Sequence, residues 1–76
     1  MPDRPIDAAL LFYLEEIRAR LDDALGIAKA AEACGHAGNI GKAVEISHDI
    51  EQLLYESETL LNALSLTHRL TRRSSR

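Results

Sequence analysis

Two runs of apolar residues at heptad spacing, separated by one glycine-rich break, constrain this chain more than any other feature. In the first run, Leu10, Leu14, Ile17, Leu21, Ala24, Ala28 and Ala31 follow one another at alternating steps of four and three. In the second, Ala43, Ile46, Ile50, Leu53, Ser57, Leu60 and Leu64 alternate steps of three and four. Steps of this kind place every member on one face of an α-helix and describe a coiled-coil-type seam. The break, Gly35-His36-Ala37-Gly38-Asn39-Ile40-Gly41, holds three glycines. A short link between two helices makes them antiparallel neighbours. The chain is therefore expected to be all-α, an antiparallel two-helix hairpin that pairs with another into a four-helix bundle as a dimer.

The expected layout is a single helical-hairpin domain over residues 1–76. The first helix runs from about Asp7 to about Cys34, the loop spans 35–41, and the second helix runs from about Ile40 to about Leu70. A basic tail over 71–76 is polar and is expected to fray. Pro2 and Pro5 disfavour helix before them, and Asp3 or Asp7 could cap the first helix. Gly35 suits a left-handed helix cap, and Asn39 suits the amino-terminal cap of the next helix. No proline follows Pro5, so both helices can run long. Gly26 sits inside the first helix, where glycine costs about 1 kcal/mol relative to alanine. Close approach of another backbone would explain it.

A single core of 76 residues is marginal without disulfides, a metal or association. Cys34 is the only cysteine, so no disulfide can form within the chain. One thiol fits a reducing compartment, and the cytoplasm is the expected location. Met1-Pro2-Asp3-Arg4-Pro5 lacks the basic segment and apolar run of a signal peptide. No stretch approaches the roughly 18 apolar residues of a membrane span.

Charge is unevenly placed. Residues 67–76 carry Arg69, Arg72, Arg73 and Arg76 and no acid, so the net −3 of the chain leaves −7 for the rest. Phosphate binding needs a positive surface, and base stacking needs more aromatics than Phe12, Tyr13 and Tyr55. Nucleic acid is not the expected partner. Arginines after a helix end favour the helix dipole, and they could also steer an acidic partner, a phosphate or a membrane surface.

Apolar residues also lie beside the two seams. Leu11, Phe12, Tyr13, Leu25 and Ile27 flank the first, and Leu54 and Leu61 flank the second. Ala19, Gly26, Ala30 and Ala33 add a strip of small residues. A contiguous apolar patch on a small protein marks an interface, and these seven larger residues are its expected members. Symmetric pairing of two hairpins is the simplest way to cover them.

The chemical motifs are sparse. Glu45-Ile46-Ser47-His48 is an E-x-x-H, a spacing used in di-iron bundles. The seam uses Ala43, Ile46 and Ile50, which turns Glu45 and His48 outward, and the first helix has no acid on its seam. Cys34 and His36 flank the loop with no further ligand nearby in sequence. His48, Glu51, Gln52 and Tyr55 share one helical face and could form a polar contact patch. Ser57, Thr67 and Ser47 lie on or beside the second seam, where a hydroxyl bonds back to the preceding turn. No catalytic residue, metal site or cofactor is expected, and the chain has no glycine-rich phosphate loop.

In length, helix count and acidity the layout resembles the small hairpin co-chaperones of type III secretion, which cover aggregation-prone subunits. Its architecture is also similar to that of the Rop-type plasmid proteins, homodimers of helical hairpins that bind paired RNA loops. The residues themselves point to a non-enzymatic protein–protein interaction module, a self-associating hairpin acting as a small adaptor or regulator. The resemblances imply two alternatives, a co-chaperone of a helical client and a Rop-like nucleic-acid regulator. The expected partner is a second copy of the chain, with a helical protein next.

Overall fold

A computed structural model of the protein describes residues 4–74. It is all-helical: α1 spans Pro5–His36, α2 spans Ile40–Ser47 and α3 spans Asp49–Ser74. The described chain is a helical hairpin whose second arm bends between α2 and α3.

Helix α1 begins earlier than Asp7 because Pro5 occupies its first turn, where a missing N–H costs nothing. Asp7 lies in the first turn of α1, and its carboxylate accepts from Arg4 Nε at 3.2 Å and Arg4 Nη2 at 3.0 Å. Asp3 lies outside the described residues. At the other end α1 runs through Gly35 and closes at Gly38. The Asn39 N–H donates to Cys34 O at 3.1 Å and the Gly38 N–H to Gly35 O at 3.0 Å. This is a Schellman motif, and it needs a left-handed residue at its turn. Gly38 supplies it, with φ at 93°. The expected left-handed cap thus moves from Gly35 to Gly38. Gly35 stays helical and lies close to the returning chain. A Cβ there would sit 3.6 Å from Ile40 Cδ1 and 3.7 Å from Ala43 Cβ.

The connection between helices shrinks to Ala37-Gly38-Asn39. Asn39 both completes the Schellman motif and opens α2, its Oδ1 accepting from the Lys42 N–H at 3.1 Å. The second arm is not one continuous helix. At His48 the N–H donates to Glu45 O at 3.3 Å, a tighter pairing than the α-helical one. Ser47 Oγ donates to Val44 O at 2.7 Å. A hydroxyl bonded into the preceding turn is a common companion of helix bends, and this one lies at the break. Helix α3 then continues past Leu70 to Ser74, so Arg72 and Arg73 are helical.

Two contacts fix how the arms face each other. Gly35 meets Ala43 beside the loop, and Arg20 meets Glu56 further along. This register sets Tyr13 opposite Leu64, Ile17 opposite Leu60, Arg20 opposite Ser57, Ala24 opposite Leu53, Ile27 opposite Ile50 and Ala31 opposite Ile46. In the second arm, all seven residues of the expected stripe are at least partly shielded. In α1 four of the seven residues of the expected stripe lie in the seam. Leu10, Ile17, Ala24 and Ala31 do, but Leu14, Leu21 and Ala28 are exposed. Tyr13, Arg20 and Ile27 take their places, and Cys34 continues the row. The seam leaves each shared position by a step of three rather than four. Apolar residues stand at both choices, so α1 alone does not decide between them.

The seam is thin. Ala24, Ala31 and Ser57 are the most buried described residues, each 8% exposed, and no large side chain is fully enclosed. The radius of gyration is 17.3 Å, against about 11 Å for a compact chain of this length. Accessible surface is 5825 Å², where a folded monomer of 8.4 kDa exposes about 4,600 Å².

Candidate interaction surface

In an antiparallel hairpin, residues one step beyond the seam on the same side of both helices form a common face. On α1 these are Leu11, Leu14, Arg18, Leu21, Leu25 and Ala28, again at heptad spacing. On the second arm they are Val44, Ser47, Glu51, Leu54, Glu58 and Leu61. Leu11, Leu14, Leu21, Leu25, Val44, Leu54 and Leu61 are each 44–54% exposed. By register Leu14 stands beside Leu61 and Leu21 beside Leu54. The result is a second seam on each arm, parallel to the first and facing outward.

The opposite side of the hairpin is polar in its middle, and toward the open end it carries the exposed Phe12, Leu66 and Leu70. Arg20 Nε donates to Glu56 Oε1 at 2.9 Å, and Arg20 Nη1 donates to Glu16 Oε1 at 2.9 Å and to Glu16 O at 3.0 Å. Gln52 Nε2 donates to Glu56 Oε2 at 2.8 Å. The Gln52 bond, and then the Arg20 bond, hold the Glu56 carboxyl below its ordinary range. Glu16 and then Glu56 hold the Arg20 guanidinium more firmly charged. Ser57, small and directly opposite Arg20, leaves space for the arginine stem in the seam. Its hydroxyl donates to Leu53 O at 2.8 Å. The hairpin is thus two-sided, with aliphatic residues on one face and an ion-pair cluster on the other.

This geometry divides the seven residues expected at the interface. Leu11, Leu25, Leu54 and Leu61 lie on the aliphatic face. Tyr13 and Ile27 are partly shielded and belong to the hairpin's own seam. Phe12 is 57% exposed but turns toward the polar side, its ring 6.3 Å from that of Tyr13. Leu14, Leu21 and Val44 complete the aliphatic face. The first two were hidden in the sequence by the same ambiguity that displaced them from the seam.

The remaining motifs stay apart. Glu45 and His48 are both exposed at the bend. Cys34 is partly shielded in the seam and His36 is exposed. Among the described residues, no three of His, Cys, Asp and Glu come together in a metal-binding arrangement. Glu51, Gln52 and Tyr55 are exposed with His48, but Gln52 is turned into the Glu56 cluster. At the open end, Leu66, Arg69, Leu70, Arg72 and Arg73 line a shallow groove on α3. Arg76 lies outside the described residues. No described helix is long and apolar enough to cross a membrane.

Compared with known proteins, the chain matches no family model, no curated protein and no solved structure.

Proposed function

We propose that this chain is a non-enzymatic protein–protein interaction module that self-associates and acts as a small adaptor or regulator. One observation carries the reading: an exposed aliphatic face, interrupted by Arg18, Glu51 and Glu58, on a molecule that encloses almost no core of its own. The chain exposes 5825 Å², which is about 1,200 Å² more than a compact monomer of its mass. Covering that excess on two copies removes about 2,400 Å² in all, the size of an obligate dimer interface. Apolar burial at roughly 25 cal/mol per Å² makes such a surface costly to leave in water.

Light scattering across a dilution series, with circular dichroism alongside, tests the proposal. A helical dimer that persists to micromolar concentration is the expected result. A helical monomer over the whole series would overturn it.

The groove of Leu66, Arg69, Leu70, Arg72 and Arg73 favours a second reading, a co-chaperone that holds a helical client at the open end. It joins leucines to three arginines, which suits an amphipathic helix with acidic flanks. Aggregation of the isolated chain, relieved by an acidic amphipathic peptide and not by dilution, would favour this reading over the first.

A further inference from the structure

Two hairpins can cover their aliphatic faces in two ways. A two-fold axis along the helices puts both loops at one end and lays α1 on the partner's second arm. An axis across the helices puts the loops at opposite ends and lays each helix on its own copy. Both keep all neighbouring helices antiparallel, so apolar matching alone does not choose between them.

The charges do. The outer seam of α1 carries one ionised residue, Arg18, between Leu14 and Leu21; that of the second arm carries two, Glu51 and Glu58, the latter between Leu54 and Leu61. The register set by Arg20–Glu56 and Gly35–Ala43 brings Arg18 and Glu58 to the same height on the face. Within one hairpin they do not pair. Arg18 Nη1 is held by Asp22, one turn along α1. With the axis across the helices, the centre of the face falls near Leu21 and Leu54. Arg18 then lies beside the partner's Leu25, and Glu58 beside the partner's Glu51. Like charges among leucines are strongly disfavoured. With the axis along the helices, Arg18 lies against the partner's Glu58 and Glu58 against the partner's Arg18. The leucines still match, Leu14 with the partner's Leu61 and Leu21 with the partner's Leu54.

We propose that a second copy of this chain docks on the aliphatic face with both loops at the same end, paired by Arg18 and Glu58 across the interface. This rests on the self-association proposed above and adds its geometry. The occupant is a second copy because under that rotation the face meets its own leucines and pairs Arg18 with the partner's Glu58. The area to be covered is also that of a stable dimer.

Two measurements on the full chain test it. In the first, a spin label is placed on the exposed Ala37 in a Cys34→Ser, Ala37→Cys variant, and the distance between labels is read by pulsed electron resonance. Same-end docking gives a distance of roughly 20–30 Å, set by neighbouring helix axes and the label arms. Opposite-end docking separates the labels by most of the 59 Å long axis. In the second, the dimer dissociation constant is measured for Arg18→Glu, Glu58→Arg and the double swap. Each single swap is expected to weaken the dimer by about tenfold or more, and the double swap to restore it. A dimer with the long distance, or a cycle with no coupling between the two positions, would overturn the docking and leave self-association standing. A monomer at every concentration would overturn both.

Discussion

Arg20 reaches across the hairpin to Glu56, Nε to Oε1 at 2.9 Å, and is the one residue among those described that ion-pairs α1 with α3. It does so from a seam position, opposite the buried Ser57. A charged residue in the seam fixes the register of the arms, because sliding either helix by one turn would leave Arg20 without its partner. The aliphatic face behind it inherits that register.

Acid should therefore loosen the hairpin through Glu56. Its carboxyl is held below the ordinary value of 4.5 by Gln52 and Arg20. A carboxyl with a depressed folded value adds stability above its unfolded value, and loses it as pH falls through the folded one. The melting temperature should be flat from neutrality to about pH 5 and fall at lower pH. Glu56→Gln should start lower at neutral pH and show a smaller acid drop. Thermal melts by circular dichroism, from neutrality down to about pH 3, check this. An undiminished acid drop in the variant would place the titrating group elsewhere.

The loop rests on two residues with different jobs. Gly38 holds φ at 93°, which an L side chain adopts at a cost of about 1–3 kcal/mol. Asn39 caps α2 through the Lys42 N–H, an interaction worth about 1 kcal/mol. Gly38→Ala and Asn39→Ala should each destabilise by about those amounts. Gly41→Ala, whose added Cβ would meet nothing within 4 Å, should be neutral or stabilising. Urea titrations compare the three. Equal losses at Gly38 and Gly41 would contradict the assignment of the turn.

Much of the hairpin was legible in the sequence. The structure uses the second arm's expected stripe throughout, although Leu54 and Leu61 stand as apolar alternatives beside Leu53 and Leu60. Asn39 is a strong cap in any context. What the sequence left open in α1 was which of two adjacent rows faces inward. Leu14 and Leu21 stand one residue from Tyr13 and Arg20, and hydrophobicity favours the leucines. Pairing decides otherwise, because Arg20 opposite Ser57 gains Glu56 as well as Glu16. The bend at His48 was equally hidden, since Ser47 bonding back to Val44 reflects a rotamer rather than a pattern. The aliphatic face became legible only once the seam was known, because it consists of the row that the seam rejected.

Gly26 lies inside α1 on an exposed surface, and a Cβ there would meet nothing within 4 Å. Within the hairpin nothing requires a glycine. Gly26→Ala should stabilise by about 0.5–1 kcal/mol, through helix propensity and a less flexible unfolded chain. The register turns Gly26 toward the polar side, away from the docking face, so the gain should persist in the dimer. Denaturation of the variant measures it. A loss of stability would mean that another backbone packs against Gly26, and that the polar side is also an interface.

The exchange of rows in α1 reverses one expectation from the sequence and gives a direct test of the fold. Were Leu21 in the seam, an aspartate there would unfold the chain as surely as one at Leu53. Leu21 is 46% exposed and Leu53 is partly shielded opposite Ala24. Leu53→Asp removes apolar contact worth about 1.5–3 kcal/mol and forces a carboxylate against α1. It should abolish most of the helical signal at any concentration. Leu21→Asp places its charge on the outer face, where the hairpin alone can solvate it and a docked second copy cannot. It should weaken association, and keep more helix than Leu53→Asp at matched concentration. Sedimentation and circular dichroism on the two variants separate the effects. Equal loss of helix across the concentration range, with no change in association specific to Leu21, would return Leu21 to the seam and dissolve the aliphatic face.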